Sequence, residues 1–160
     1  LKLEKATSAI GVTVDKLWLP YWKKRSNDVL SDAESLRVDH NDRILSIGQK
    51  ETDIAKITGQ YIGLAVFDGA GIEAVKNLVN MERAANAQGH SVVRQNRTLA
   101  QLYMTDLLQG LINNSIDVKA VWTNGGWLEI DTTSDLILAE SFTEPTDGML
   151  NVMRGDQNEN

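Results

Sequence analysis

The run Gly59 to Phe67 (GQYIGLAVF) constrains the fold most, because it is apolar almost without a break. A strand of that composition is expected to be buried on both faces, as in a layered α/β sheet. Gly63 stands in its middle, where a glycine weakens a strand unless something must approach the backbone closely. Either a helix packed over the sheet or a bound ligand supplies such a reason.

The rest of the chain fits that frame. Residues 8–14 (SAIGVTV) read as a strand with Asp15 at its carboxyl end. Trp18 to Arg25 reads as a short amphipathic helix with Pro20 in its first turn and its cations in water. Its three aromatics and three cations could also stack on a base or cage a quaternary ammonium. Residues 35–39 and 43–47 flank the turn-rich His40-Asn41-Asp42 and predict a hairpin, with Lys50 just past its second strand. Residues 70–87 predict a helix whose stripe is Ile72, Val75, Leu78, Val79 and fading Glu82. Residues 91–101 are polar and predict a loose loop or frayed helix.

A second helix starts near Tyr103, with Thr105 as cap and Met104, Leu107, Leu108, Leu111 and Ile112 on one face. Residues 116–122 alternate as a strand. The order β, helical turn, hairpin, β, α, α, β, short β, α predicts an α/β layered domain with helices on a mixed sheet. Residues 143–160 are expected to be a polar tail or linker.

The stretch Gly125 to Leu136 (GGWLEIDTTSDL) combines a glycine turn, a very short strand and a helix start. Thr132 and Asp135 match the capping box, and Glu129 and Asp131 project the same way from an extended segment. Asp131 at a strand's exit can meet a divalent ion, or serve only as a further cap.

Composition narrows the function. The 160 residues carry a net charge of −6, which speaks against a general nucleic-acid surface. Absence of cysteine excludes thiolate catalysis and disulfides, and two histidines, His40 and His90, build no zinc cluster. The longest apolar run, Ile62 to Phe67, falls far short of the ~20 residues of a membrane helix. The expectation is a cytoplasmic protein with no nucleic-acid or membrane partner. No GxxxxGK or GxGxxG occurs and the chain starts at Leu1, so it is expected to be the C-terminal part of something longer.

Trp127-Leu128-Glu129-Ile130-Asp131-Thr132 with Asp135-Leu136 resembles the C-terminal signature of sugar-nucleotidyltransferase-like enzymes. The branch it looks most like is the cytidylyltransferases acting on phosphocholine, phosphonates and related small phosphorylated compounds. Further blocks follow in the family's order. Val14 to Arg25 resembles "V-D-x-x-W…W-x-x-R", and Asp32-Ala33-Glu34 its "D-A-E" segment. Ile47-Gly48-Gln49-Lys50 resembles "I-G-K", Gly59 to Leu64 "G-x-Y-I-G-L", and Thr105 to Ile112 "T-D-L-L-Q-x-L-I". The likeness covers roughly residues 10–142, without the family's "L-A-A-G-x-G-x-R" triphosphate loop or its other metal aspartate.

The resemblance implies a layered mixed sheet flanked by helices, the C-terminal part of a Rossmann-like, GT-A-like nucleotidyltransferase fold. It implies transfer of a nucleotidyl group, CMP first, from CTP to a small phosphorylated acceptor with release of pyrophosphate. Asp131 would hold Mg2+, Glu129 would orient it, Lys50 would pair with the acceptor phosphate and Gly63 would give that phosphate room. Glu34 and Arg25 become substrate contacts, and Trp18 and Trp22, with Tyr21, suit a choline-like head group. A homodimer is compatible with this reading, as is a non-catalytic binding or dimerisation module derived from the fold.

Overall fold

The computed structural model describes residues 8–142; the expected tail over 143–160 lies outside them. Three strands make the main sheet: β1 (Ile10–Asp15), β4 (Gln60–Phe67) and β5 (Val118–Thr123). Their order is β4-β1-β5, with β1 antiparallel to β4 and parallel to β5. The sheet is therefore mixed. A hairpin, β2 (Glu34–Val38) and β3 (Ile44–Lys50), forms a second, two-stranded sheet. Its turn closes as expected, with Asp39 Oδ1 accepting from the amides of Asn41 (2.8 Å) and Arg43 (2.9 Å). Lys50 is the last residue of β3 rather than a residue beyond it, and its Cα partner is Glu34.

Five α-helices, α1 (Trp18–Arg25), α2 (Val29–Asp32), α3 (Gly69–Asn86), α4 (Met104–Asn113) and α5 (Thr133–Ser141), and two 3-10 turns, Ile54–Lys56 and Leu99–Gln101, complete the described fold. The main core lies between one face of the sheet (Ile10, Val12, Val14, Val118), the hairpin (Leu36, Ile44, Ile47) and Leu78, Leu108 and Leu111 of α3 and α4. Burying such side chains contributes about 1.5–3 kcal/mol each. A second cluster joins Trp18, Tyr21 and Trp22 of α1 to Trp127, Leu138 and Phe142.

Several expectations need correction. β4 is not buried on both faces: among the described residues it is an edge strand, and Leu64 is 46 % exposed. Apolar content alone does not distinguish an edge from a centre. Residues 62–64 stand opposite Thr13 alone, a bulge in which Gly63 takes φ +82°. Gly63 is thus required by its backbone, with nothing within 4 Å of where a Cβ would stand. The close approach expected there occurs at Gly71 instead, where a Cβ would strike the Ala9 carbonyl oxygen.

Ile72 faces outward, and the buried face of α3 is Gly71, Leu78, Glu82 and Ala85. The N-cap of α4 is Tyr103, whose amide donates to Asp106 Oδ2 (3.0 Å), so Thr105 is not the cap. The very short strand over 127–131 does not form. Tyr21 takes the place of a strand partner: its hydroxyl donates to the Glu129 carbonyl (2.8 Å) and accepts from the Glu129 amide (2.9 Å).

Residues 91–101 are held, not frayed. Glu82, fully buried, accepts from the amides of Val92 (2.8 Å) and Val93 (3.0 Å) and from Asn86 Nδ2 (2.6 Å). Burial by itself would raise its pKa, but donors from Ser91, Val92, Val93 and Asn86 outweigh it and lower the value. Arg94 and Arg97 both reach the buried carboxylate of Asp106, at 3.3 and 2.6 Å. Glu82→Leu leaves the Val92 amide without an acceptor and Val93 with only a 3.3 Å bond to Ser91 Oγ, and is expected to destabilise by about 1–3 kcal/mol. Amide hydrogen exchange at Val92 and Val93 would rise first, whereas unchanged protection there would refute the anchoring role.

Candidate functional site

The carboxyl end of β1 is fixed by Asp15. Its Oδ1 accepts from the amides of Leu17 (2.8 Å) and Gly125 (2.7 Å), and its Oδ2 from Trp127 Nε1 (2.9 Å). This one buried carboxylate therefore holds the turn after β5 against the start of α1. Ion–dipole hydrogen bonds of this kind are the stronger ones in proteins.

Beyond that turn, Arg25 organises the acidic stretch. Its side chain is only 7 % exposed and meets Asp135 Oδ1 (3.0 Å), Glu129 Oε2 (2.8 Å), Asp131 Oδ2 (3.2 Å) and Asp32 Oδ2 (3.3 Å). Glu129 and Asp131 do project the same way, and what they meet is this guanidinium. Arg25 is accordingly not a water-facing cation of an amphipathic helix. Burial works against its charge, but the hydrogen bond to Asp135 and the surrounding carboxylates prevail and raise its pKa.

The capping box at the start of α5 forms as its spacing predicts. The Asp135 amide donates to Thr132 Oγ1 (3.2 Å), while the amide and hydroxyl of Thr132 donate to Asp135 Oδ2 (both 2.9 Å). The amide of Asp131 adds a further bond to that oxygen at 3.1 Å. The Arg25 hydrogen bond, first of all, holds the Asp135 carboxyl well below the usual range, with help from Thr132 and the Asp131 amide against the effect of burial.

A cavity of about 360 Å³ opens at the carboxyl end of β1, where β4 begins. Of the residues singled out by sequence, Trp22, Glu34, Gly63 and Glu129 line it. Asp32, Gln60, Tyr61, Tyr103, Met104 and Thr105 complete its wall, and none of them was a site candidate from the sequence. Asp32, Gln60, Tyr61 and Thr105 lay inside quoted blocks, so the signal was present. Trp18 is buried in the aromatic cluster and does not line the cavity. Arg25 stands behind the wall, bonded to Asp32 and Glu129. Lys50 is exposed at the end of β3 and makes no ion pair among the described residues. Asp131 is outside the wall, with its side chain 63 % exposed.

Burial, first, pushes the carboxyls of Glu34 and Glu129 up, against the Thr105 hydroxyl at Glu34 and Arg25 at Glu129. Neighbouring acids reinforce the shift: Asp106 and Asp32 at Glu34, and Asp131 and Asp32 at Glu129. Glu34 is exposed as a residue, yet its carboxyl group sits among these neighbours. The signs of the pH effects then differ. A folded carboxyl with a raised pKa binds its proton more tightly than in the unfolded chain, so it costs stability at neutral pH. That cost fades as pH falls toward about 4.3. Asp135, with a lowered pKa, adds stability above about 4 that is lost on further acidification. Urea midpoints measured from pH 7 to 3 should therefore hold or rise slightly and then fall. Glu34→Gln should flatten the first part and Asp135→Asn the second. A fall beginning at pH 7 would contradict this.

No family model matches the chain. It is similar to the CTP:phosphoglutamine cytidylyltransferase of Campylobacter jejuni, at 35 % identity over 135 residues. The match covers 84 % of this chain and 51 % of that protein. That similarity supports a cytidylyltransferase-like family. It spans about half the length of the curated relative that it matches.

Asp131 presents the most exposed of the four carboxylates around Arg25. Among the described residues no three His, Asp or Glu side chains are grouped to hold a metal by themselves. One exposed carboxylate still fits Mg2+, which is commonly held by one or two carboxylates together with substrate phosphates. No helix among the described residues is long and apolar enough to cross a membrane.

Proposed function

We propose that the chain is the acceptor-side part of a nucleotidyltransferase that transfers CMP from CTP to a small phosphorylated or phosphonate acceptor, releasing pyrophosphate. The observation that carries this reading is the joint position of the cavity and the Arg25–Asp131 pair. The cavity is lined by Gln60 and Tyr61 of β4, which pair with Asp15 and Val14 at the carboxyl end of β1, and Arg25 ties Asp131 to Glu129 on its wall. A position near a strand's carboxyl end supports a ligand site in an open α/β sheet. The mixed sheet and the cytidylyltransferase relative support a Rossmann-like, GT-A-like fold of which this is the C-terminal part. A soluble nucleotide and a small acceptor suit a cytoplasmic setting, and a homodimer is compatible with it.

In this reaction an oxygen of the acceptor phosphate attacks the α-phosphorus of CTP, and pyrophosphate leaves in line. Alignment and charge neutralisation carry the rate, so few residues need do covalent work. Asp131 would hold Mg2+, which neutralises phosphate charge when bound. Arg25 positions Asp131 and links it to Glu129 on the cavity wall. Lys50, the exposed cation opposite Glu34, is suited to pair with the acceptor phosphate at the rim. Three carboxylates line the cavity beside Gly63 and would repel that phosphate, so its place is the rim rather than the space over Gly63.

The test is pyrophosphate release from CTP, with Mg2+ and phosphorylated acceptors, by the longest protein that carries this chain. CTP should be preferred over the other three nucleoside triphosphates. The 160 residues alone should bind acceptor without turnover. Absence of pyrophosphate release from the longer protein with every acceptor would refute the reading.

A further inference from the structure

The stretch that carries Glu129 and Asp131 has no strand partner, so something else must fix where the two carboxylates stand. Among the described residues, the backbone of residues 124–131 makes no hydrogen bond to another backbone group. Side chains tether it instead: Asp15 at Gly125 and Trp127, Asp135 at Asp131, and Tyr21 between them at Glu129. The Tyr21 hydroxyl alone takes both backbone groups of Glu129, donating at 2.8 Å and accepting at 2.9 Å.

Two residues of α1 divide the work. Tyr21 and Arg25 are four positions apart and so share a helix face. Tyr21 holds the backbone of Glu129, while Arg25 meets the side chains of Glu129 (2.8 Å) and Asp131 (3.2 Å). Setting the backbone at Glu129 sets both carboxylates, because residues two apart on extended chain project the same way. Asp131 has one carboxylate to divide between Arg25 and Mg2+, and two cations sharing it repel each other. The Arg25 tether is therefore the one that metal loosens. The bonds at the Glu129 backbone do not depend on that carboxylate.

The ring of Tyr21 is fixed in turn. It is 9 % exposed and packs edge-on against Trp22, Trp127 and Phe142 at centroid distances of 5.7, 5.9 and 6.4 Å. The Arg25 guanidinium carbon stands 5.8 Å from its centre. Packing thus aims the hydroxyl, and the ring is closed to the choline-like head group expected from sequence.

Resting on the cytidylyl-transfer reading with Mg2+ at Asp131, we propose that Tyr21 is a positioning residue of the reaction. Its hydroxyl fixes the Glu129 backbone and so keeps Asp131 in place to take metal when Arg25 yields its share. Groups that orient a metal ligand from outside commonly change metal affinity by about 10–100-fold.

Mn2+ binding, read by electron paramagnetic resonance, tests this in the longest protein that carries the chain, with a non-hydrolysable α,β-methylene analogue of CTP. Mn2+ suits the same oxygen ligands as Mg2+. Tyr21→Phe keeps the ring and removes only the hydroxyl. It should weaken Mn2+ binding about tenfold or more, and raise the Mg2+ needed for half-maximal pyrophosphate release by a like factor. Saturating Mg2+ should restore turnover in Tyr21→Phe but not in Asp131→Asn. Phe142→Leu disturbs the same aromatic cluster and keeps the hydroxyl, so its urea midpoint should fall while its Mn2+ affinity stays at the parent value. A merely structural Tyr21 would not give that split. In the parent 160-residue chain, the Glu129 amide should exchange more slowly than those of Leu128 and Ile130, which have no acceptor among the described residues. Absence of that protection, parent-like Mn2+ affinity in Tyr21→Phe, or an equal loss in Phe142→Leu would overturn the proposal. Should Mn2+ binding fall in Asp131→Asn alone, the inference fails and the catalytic reading stands. Should Asp131→Asn bind Mn2+ as the parent does, the metal assignment fails and the inference with it.

Discussion

Arg25→Met is expected to destabilise the protein by about 3–5 kcal/mol, the range for removing one partner of a buried ion pair. The four carboxylates around Arg25 do not share this effect equally. Asp32, Glu129 and Asp131 keep much of their solvent contact, and such pairs contribute about 0–1 kcal/mol each. Asp135 is as buried as Arg25 itself, so the cost comes chiefly from leaving its charge without a cation. Arg25→Lys should fare little better, because one ammonium cannot present separate donors to carboxylates on three sides of a planar fork. Adding Asp135→Asn to Arg25→Met should recover part of the loss, since no uncompensated charge then stays inside. Urea denaturation followed by tryptophan fluorescence measures all three. An Arg25→Met midpoint within error of the parent would show that the pair contributes nothing.

Asp131→Asn should lower CTP-dependent pyrophosphate release of the longer protein by about 10²–10³-fold, as for the loss of one group stabilising transition-state charge. Its effect on stability should stay below about 1 kcal/mol, because the side chain is exposed and Arg25 retains three carboxylates. This pairing of a large rate effect with a small stability effect separates a ligand for Mg2+ from an additional cap. The Asp131 amide, unchanged by the substitution, still donates to Asp135. Full activity in the variant would remove Asp131 from the reaction. A large loss of stability would make it structural.

The contrast between these two residues shows what was legible. The Thr132–Asp135 box was readable because a cap is settled within four residues, and the hairpin because its turn chemistry is local. Arg25 was read as solvated because its deciding partner, Asp135, lies 110 positions away. Glu82 looked like the fading end of its stripe for the same reason: a buried acid is recognised by its donors, and two of those came from Val92 and Val93. Trp127 to Asp131 alternates like a strand, yet alternation does not supply a neighbour, and Tyr21 took the backbone groups instead. Of the proposed site, Trp22, Glu34, Gly63 and Glu129 converged, while Asp131 and Lys50 flank their cavity from outside. The family blocks located the region; the direction of each side chain depended on packing that no single block contains.

The bulged margin of β4 has a bearing on handling the protein. Its outer side carries no further strand among the described residues, and Leu64 on it is open to water. Unpaired backbone beside an oily surface is a template for self-adhesion between copies, which bulges discourage only locally. Concentrating these residues by themselves therefore favours sticking, and whatever screens that border sets how much material remains in solution.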